Sequence, residues 1–292
     1  MERILFIGNG LNLISDGGSS WNELLNNLAG IAVTEHEEKV RKEKPFTLWF
    51  EQINSVSNDS NLKKVVADSL MNKLSPNKHH IDIMALDFKN ILTTNYDYCL
   101  EEATRAEWKL NKSAPETYHS LFRRRSLDER HIWHIHGELG SSSSIMLGHE
   151  QYSRYIHKIR NFLTTGVATT VKERKRRSYL SKFASKEIEM KGDIENWVDL
   201  FLEHEVHMVG FSFDYTENHL WNLLMEKQRL RNKGALVGPT VGQVVFHRCS
   251  DREKTVSDEA KLSILSALGA RVEDHTSNTY SEAYDKCIEA LR

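Results

Sequence analysis

The chain is poor in the features that mark several common protein classes. It has three cysteines in 292 residues, Cys99, Cys249 and Cys287, widely separated and without a Cys-x-x-Cys pair. That number and spacing argue against a disulfide framework and against a thiolate zinc site, and they fit a reducing compartment. Only four prolines are present, with no low-complexity tract and no solenoid repeat, so no flexible linker divides the chain. No apolar run is long enough for a membrane span. The short one near the start, Ile4 to Ile7, follows the charged Arg3 and is too brief for a signal segment. A soluble, unprocessed cytoplasmic protein is expected. Excess charge is missing as well: 39 basic against 41 acidic residues leave a net charge of −2, so no global field draws nucleic acid or an acidic membrane.

What is there reads as an α/β protein. Ile4 to Ile7, "FKNILTTNYD" (88–97), "HIWHIHGELG" (131–140), "HEVHMVGFSF" (204–213), "QVVFHR" (243–248) and "ARVEDH" (270–275) each place an apolar or β-branched run before polar residues. "SIMLGHE" (144–150) is a weaker strand candidate. Helical periodicity separates these runs, so the fold class predicted is a Rossmann-like, mostly parallel sheet with helices on both faces. "SSWNELLNNL" opens a helix with Ser20 and Glu23 at capping-box spacing. The stretches at about 35–80 and 151–203 carry no convincing strand and read as helical insertions in a single domain covering 1–292. In the first, Trp49, Phe50, Ile53, Val65, Val66 and Leu70 are the expected buried side, and "LSPNKHH" is expected to close it as a turn.

Four strand ends carry chemistry. In a doubly wound sheet ligands collect at the carboxyl ends of the strands, where a glycine turn lets backbone N–H groups approach phosphate. "GNGLN" (8–12) occupies that place after the first strand. It lacks the full G-x-G-x-x-G spacing because Leu13 stands at the last position, and a tight structural turn explains it equally well. "TTNYD" (93–97) ends the second strand with two hydroxyls, a carboxamide, a phenol and a carboxylate, although Asn95 as a turn residue and Asp97 as a helix cap are the commoner fates. "HIHG" sets His134 and His136 two apart on a strand, so both are expected to point to one face. Either a general base beside a glycine or a metal pair would use that arrangement, and the third ligand a metal needs is not singled out by spacing. "GFSFDYTENHL" repeats the strand, turn and helix logic. There Asp214 and Glu217 have capping-box spacing, and Gly210 and Ser212 could admit a ribose or adenine.

The order of these stretches, "GNGLN", "TTNYD", "HIHG" and "GFSFD", with "GGSSWNELL" after the first turn, resembles the sirtuin-like NAD-hydrolase family of bacterial antiviral systems from about Ile4 to Leu224. The resemblance implies a Rossmann-type core with NAD as substrate. It implies Asn95 and His136 as the catalytic pair and Asp97 as their support. It implies nucleotide contacts at Gly8, Gly10, Asn12, Thr94, Gly210 and Ser212. Deacylating sirtuins carry a four-cysteine zinc ribbon that three scattered cysteines cannot build, so plain NAD cleavage is expected rather than acyl-lysine removal, and no metal. The resemblance further implies NAD depletion in defence, a homo-oligomer, and a separately encoded activating partner such as a HerA-type translocase ATPase. Two other readings stay open: a non-catalytic NAD or ADP-ribose sensor, and a metal-dependent hydrolase around His134 and His136. The basic run Lys172 to Arg177 could meet a partner or nucleic acid, with a solvated helix face the simpler explanation.

Overall fold

The structure is a computed structural model that describes residues 2–29, 39–41, 43–57, 61–71, 73–111, 119–165, 196–237 and 242–292. Its centre is an eight-stranded sheet in the order β3-β4-β5-β2-β1-β6-β7-β8. The strands are β1 (Arg3–Ile7), β2 (Asn90–Thr93), β3 (Lys109–Asn111), β4 (Arg124–Leu127), β5 (Arg130–His134), β6 (Glu205–Val209), β7 (Val244–Arg248) and β8 (Ala270–Asp274). From β5 to β8 every pairing is parallel, and β3 and β4 add an antiparallel edge beside β5. The chain runs outward from β1 through β2 to β5, then returns to place β6 on the other side of β1. The carboxyl end of β1 is therefore the topological switch point, where a doubly wound sheet opens a crevice for ligands.

The strands read as continuous apolar runs because both faces are covered. Along β1, Ile4 and Phe6 pack into one core with Trp133, Phe201 and Met208, while Leu5 and Ile7 pack into another with Ile83, Ile132 and Ile288. The helices serving the first face include α7 (His149–Thr164), α8 (Trp197–Glu203), α9 (Asn218–Val237) and α10 (Val256–Ala267). Those serving the second include α1 (Gly10–Leu13), α5 (Lys78–Met84), α6 (Cys99–Ala103) and α11 (Tyr280–Leu291). A third cluster joins α2 (Trp21–Ala29), α3 (Phe46–Val56) and α4 (Leu62–Leu70) to Tyr96, Leu139, Ile145 and Leu147. Those last residues follow β2 and β5, so this helical layer covers the carboxyl-end edge of the sheet there.

Several expectations need correction. "SIMLGHE" is no strand: Ser142–Ser144 form a short 3-10 turn, and α7 starts at His149. Gly148 there leads directly into a helix whose apolar positions Tyr152, Tyr155, Ile159 and Phe162 have helical, not alternating, spacing. "LSPNKHH" is not only a turn. Asn77 accepts from the backbone N–H groups of His79 and His80 and so starts α5 at Lys78. Val65 is exposed, although its neighbour Val66 is fully buried. The edge strands β3 and β4 were not expected, because their charged sequences carry no apolar alternation. The basic run Lys172 to Arg177 lies outside the described residues. No described helix is long and apolar enough to cross a membrane.

One buried cation belongs to this framework. Lys227, on α9, is 2 % exposed and gives its ammonium protons to the carbonyls of Phe201 (2.6 Å), Leu202 (3.1 Å) and His204 (2.6 Å) at the end of α8.

Candidate active site

Two loops meet at the switch point. The N–H of Gly8 donates to the carbonyl of Val209 (2.9 Å), and that of Gly10 to the carbonyl of Gly210 (2.8 Å). A Cβ at Gly8 would lie 2.5 Å from the Gly210 oxygen, and one at Gly10 2.3 Å from the Tyr284 hydroxyl oxygen. Gly210 itself has φ +74°. Close approach of the β1 and β6 loops thus requires these glycines by itself. The amides of Gly8 and Gly10 are already paired, so neither is free to donate to a ligand at this turn.

Asn95 leaves β2 beside this junction. Its backbone N–H is held by the Thr93 hydroxyl (3.0 Å), and its carboxamide nitrogen donates to the Gly8 carbonyl (3.2 Å). Asn95 and Asp97 share a cavity of about 40 Å³ with Asn9, Asn12, Ser20 and Trp21. Asn12 donates from its Nδ2 to Asp97 Oδ2 (2.7 Å), while Asp97 Oδ1 accepts from the N–H of Cys99 (3.1 Å). Asp97 is not the expected helix cap, since Tyr98 is the N-cap of α6; it closes a turn just before the helix and anchors the Asn12 carboxamide. Thr94 is buried beside β1, donating from its N–H to Ile7 (3.3 Å), and does not line that cavity.

The sequence reading missed His80. Its Nε2 lies 3.0 Å from Asn12 Oδ1 and its Nδ1 accepts from the Asn77 N–H (3.2 Å). A carboxamide oxygen only accepts, so Nε2 carries the proton and the ring is neutral. Burial pulls its pKa down to about 4. The chain His80 to Asn12 to Asp97 fixes which way Asn12 points. "NKHH" held the only signal: a good N-cap residue three positions before a histidine.

His134 and His136 do not share a face, because β5 ends at His134 and the backbone turns at Gly137 (φ +97°). Both nitrogens of His134 are engaged: Nδ1 lies 2.8 Å from the Asn95 carbonyl oxygen, and Nε2 2.8 Å from Glu101 Oε1. Burial lowers its pKa, but Glu101 outweighs that and raises it to about 9. It is a buried, ion-paired support for the Asn95 backbone. His136 turns instead toward His219 on α9, Nε2 to Nε2 at 2.8 Å, with the Tyr152 ring against it at 5.4 Å. Burial alone depresses its pKa to about 3. The two histidines therefore cannot ligate one metal together. Asn95 and His136 each stand two residues past the register pair Thr93↔His134 on neighbouring strands. His136 is 1 % exposed and is not among the residues lining the Asn95 cavity. His219, also missed, lines a second cavity of about 410 Å³ between α7 and α9.

Gly137 decides where His136 points. A Cβ there would meet the Ser144 carbonyl oxygen at 2.3 Å in a left-handed backbone. Gly137→Ala is expected to cost roughly 2–4 kcal/mol from strain and overlap combined, read as a lowered urea midpoint.

Titration adds a second test. His80 and His136 have folded-state pKa values below the ordinary 6.5. The unfolded chain therefore binds more protons between about pH 6.5 and pH 4, and their stabilising contribution, complete above about pH 6.5, is lost as pH falls. For His80 the loss reaches on the order of 3 kcal/mol by about pH 4. His134 works oppositely: its contribution is complete below about pH 6.5 and lost as pH rises through about 9. Urea midpoints across this range should fall on both sides, and His80→Gln should flatten the acid limb.

On the β6 side, Asp214 and Glu217 form no capping box. Asp214 Oδ1 accepts from the N–H and hydroxyl of Thr216, closing a turn before α9 starts at Asn218. Burial and the nearby Asp214 push the Glu217 carboxyl up to about 8. Ser212 is exposed, and its carbonyl accepts from Lys261 (2.6 Å). Of the expected nucleotide-binding residues, Gly8, Gly10 and Gly210 come together, Asn12 joins Asn95 and Asp97, and Ser212 stands apart at the surface.

Comparison with known proteins bears on the same residues. The chain is 26% identical over 153 residues to "NAD(+) hydrolase ThsA" of Enterococcus faecium, a stretch covering 52% of this chain and 31% of that protein. It therefore aligns with about a third of its relative's length. A model of the SIR2-like domain matches residues 89–269, more than half of the chain and a span that contains Asn95, His136, Gly210 and His219. The chain belongs to the SIR2-like domain family.

Proposed function

We propose that the chain, as one domain with helical insertions at about 35–80 and 151–203, is an NAD glycohydrolase that cleaves the bond between nicotinamide and ribose. The observation that carries this reading is the grouping of Asn95, Asp97 and Asn12 around one cavity at the switch point of a doubly wound sheet. Membership in the SIR2-like family and the likeness to an NAD(+) hydrolase support it. When the C1′–N bond breaks, its electron pair passes to the pyridinium nitrogen and neutralises that charge. Water adds to the ribosyl cation at C1′, its oxygen forming the new bond and its proton leaving through a base to solvent. Asn95 orients the ribose or the attacking water, and Asp97 holds Asn12 in place at the same wall. His136 is the base. Its low basicity comes from burial alone, so admitting substrate and water at its side restores a more ordinary value. The cavity beside Asn95 has room for one or two waters, so a dinucleotide requires it to open.

The same reading includes NAD depletion as an antiviral device in the cytoplasm, assembly into a homo-oligomer, and activation by a separate partner such as a HerA-type translocase ATPase. Chromatography of nucleotides after incubation with NAD, with and without the product of a neighbouring gene, tests it. Nicotinamide and ADP-ribose should appear in equal amounts. A second reading, NAD or ADP-ribose sensing without cleavage, is favoured by the enclosure of His136. Saturable binding with no nicotinamide under either condition would select it.

A further inference from the structure

On the far side of the sheet from His136, a second group of donor side chains converges. His247, on β7, is 2 % exposed, and its Nδ1 lies 2.9 Å from the Nε2 of His275, which follows β8. One ring nitrogen of each histidine and the sulfur of the fully buried Cys287, on α11, all lie within 4.8 Å of one another. Cys249, the residue after β7, neighbours Cys287 and acts on its thiol, but stands outside the group of donors within 4.8 Å of one another. The other ring nitrogen of His247 faces His207 Nδ1 at 3.0 Å, and His207 Nε2 faces Glu205 Oε1 at 2.9 Å.

We propose that His247 Nδ1, His275 Nε2, Cys287 Sγ and Cys249 Sγ form a structural zinc site that ties α11 to the carboxyl ends of β7 and β8. Two imidazoles and two thiolates are the donor set of tetrahedral Zn²⁺, with bonds of about 2.0–2.1 Å to nitrogen and 2.3 Å to sulfur. Tetrahedral angles then place the donor atoms roughly 3.3–3.8 Å apart, so His247, His275 and Cys287 close on a metal with small side-chain shifts, and Cys249 turns in from the end of β7 as the fourth ligand. Soft sulfur and imidazole donors also exclude calcium and magnesium.

The outer contacts set the protonation the metal needs. Glu205 only accepts, so His207 Nε2 carries a proton and His207 Nδ1 accepts from His247 Nε2–H. That leaves the lone pair of His247 Nδ1 directed at the site, an outer shell of the kind that orients metal-bound histidines. On binding, two S–H bonds are replaced by two Zn–S bonds and the two protons go to solvent. The proton on His275 Nε2 moves to its Nδ1. The dication and two thiolates sum to zero charge, which suits a buried site. His275 is half-buried at the rim and gives the metal access. Cysteine spacing argues against such a site because its members come from two strands and a helix far apart in sequence. One turn before Cys287, Tyr284 places its hydroxyl beside Gly10, so a pinned α11 also fixes one wall of the glycine turn.

The test uses the untagged full chain, dialysed against zinc-free buffer and analysed for metal. About one zinc per chain is expected, falling below about a tenth in Cys287→Ser and His275→Ala and unchanged in Cys99→Ser. Reconstitution with Co²⁺ should give a thiolate-to-cobalt charge-transfer absorption that Cys287→Ser lacks. Chelation should lower the Tm of the parent chain by about 5–10 °C and leave that of Cys287→Ser unmoved. Three results overturn the proposal: a parent chain that neither retains zinc nor gains Tm when zinc is added, zinc retained in full by Cys287→Ser, or a Cys249–Cys287 disulfide in the chain purified without reductant. None of these readouts depends on NAD turnover.

Discussion

Under the proposed function, Asn95→Ala is expected to lower nicotinamide release by about 10²–10⁴-fold, measured against the parent chain under whichever conditions activate it. The size follows from what the side chain does. Its carboxamide sits at the wall shared with Asp97 and is aimed by the Gly8 carbonyl, so removing it loses the fixed orientation of the reacting partner rather than a fold contact. The substitution gives up one buried hydrogen bond, a stability cost of about 1–2 kcal/mol. A circular dichroism melt should therefore move little while turnover collapses. His136→Ala is expected to lose activity by a similar factor, and here the partner is informative. His219 Nε2 loses its neighbour at 2.8 Å, so stability falls as well, and His136→Gln, which keeps a polar atom near that position, should recover stability without recovering turnover. Unchanged nicotinamide release in Asn95→Ala removes the carboxamide from the mechanism. Unchanged release in His136→Ala shows that its buried imidazole serves only the packing between β5 and α9.

These two variants also divide what could be read from the sequence from what could not. The parallel sheet was legible because strands covered on both faces must be apolar almost throughout, and Ile4 to Ile7 or Val244 to Phe246 admit no other reading. Ser20 and Glu23 were legible because a capping box is local: Ser20 N–H donates to Glu23 (2.6 Å) and Glu23 N–H to the Ser20 hydroxyl (3.2 Å). Asn95, Asp97 and Asn12 were singled out by the family resemblance, and they meet at one cavity because strand ends gather at one edge. What the sequence hid depends on where a strand stops. Alternation continued through "HIWHIHG" puts His134 and His136 together, yet ending the strand at His134 sends one toward Glu101 and the other toward His219. Nothing local announces that end, since Gly137 is compatible with both. His80 and His219 were hidden for a related reason. Each is a polar residue on a helix whose partner lies on a distant element, and helical periodicity records burial but not pairing.

Lys227→Met is expected to destabilise the fold by roughly 3–5 kcal/mol, the cost of stripping partners from a buried charged network. The α8 helix ends at Glu203 with its last carbonyls pointing toward α9, away from water, and a helix end has no internal partners for these groups. The ammonium of Lys227 reaches Phe201, Leu202 and His204 together and places its positive charge where the helix dipole is negative. It also lies 5.6 Å from the Phe201 ring centre. Burial pushes its pKa well below the ordinary lysine value, yet three carbonyl acceptors need three N–H donors, and only the charged form supplies them. Met preserves the length and volume of the side chain, so cavity formation is excluded as the cause of any loss. What remains is the exposure of three acceptors to an apolar sulfur and methyl group. Because α8 leads directly into β6, the loss falls on the strand that carries Gly210 to the switch point. Lys227→Arg keeps the donors but needs extra volume in a closed core, so it should recover only part of the stability. Urea unfolding of the three chains side by side separates charge from size. A Met variant as stable as the parent would mean that water, not Lys227, satisfies the end of α8.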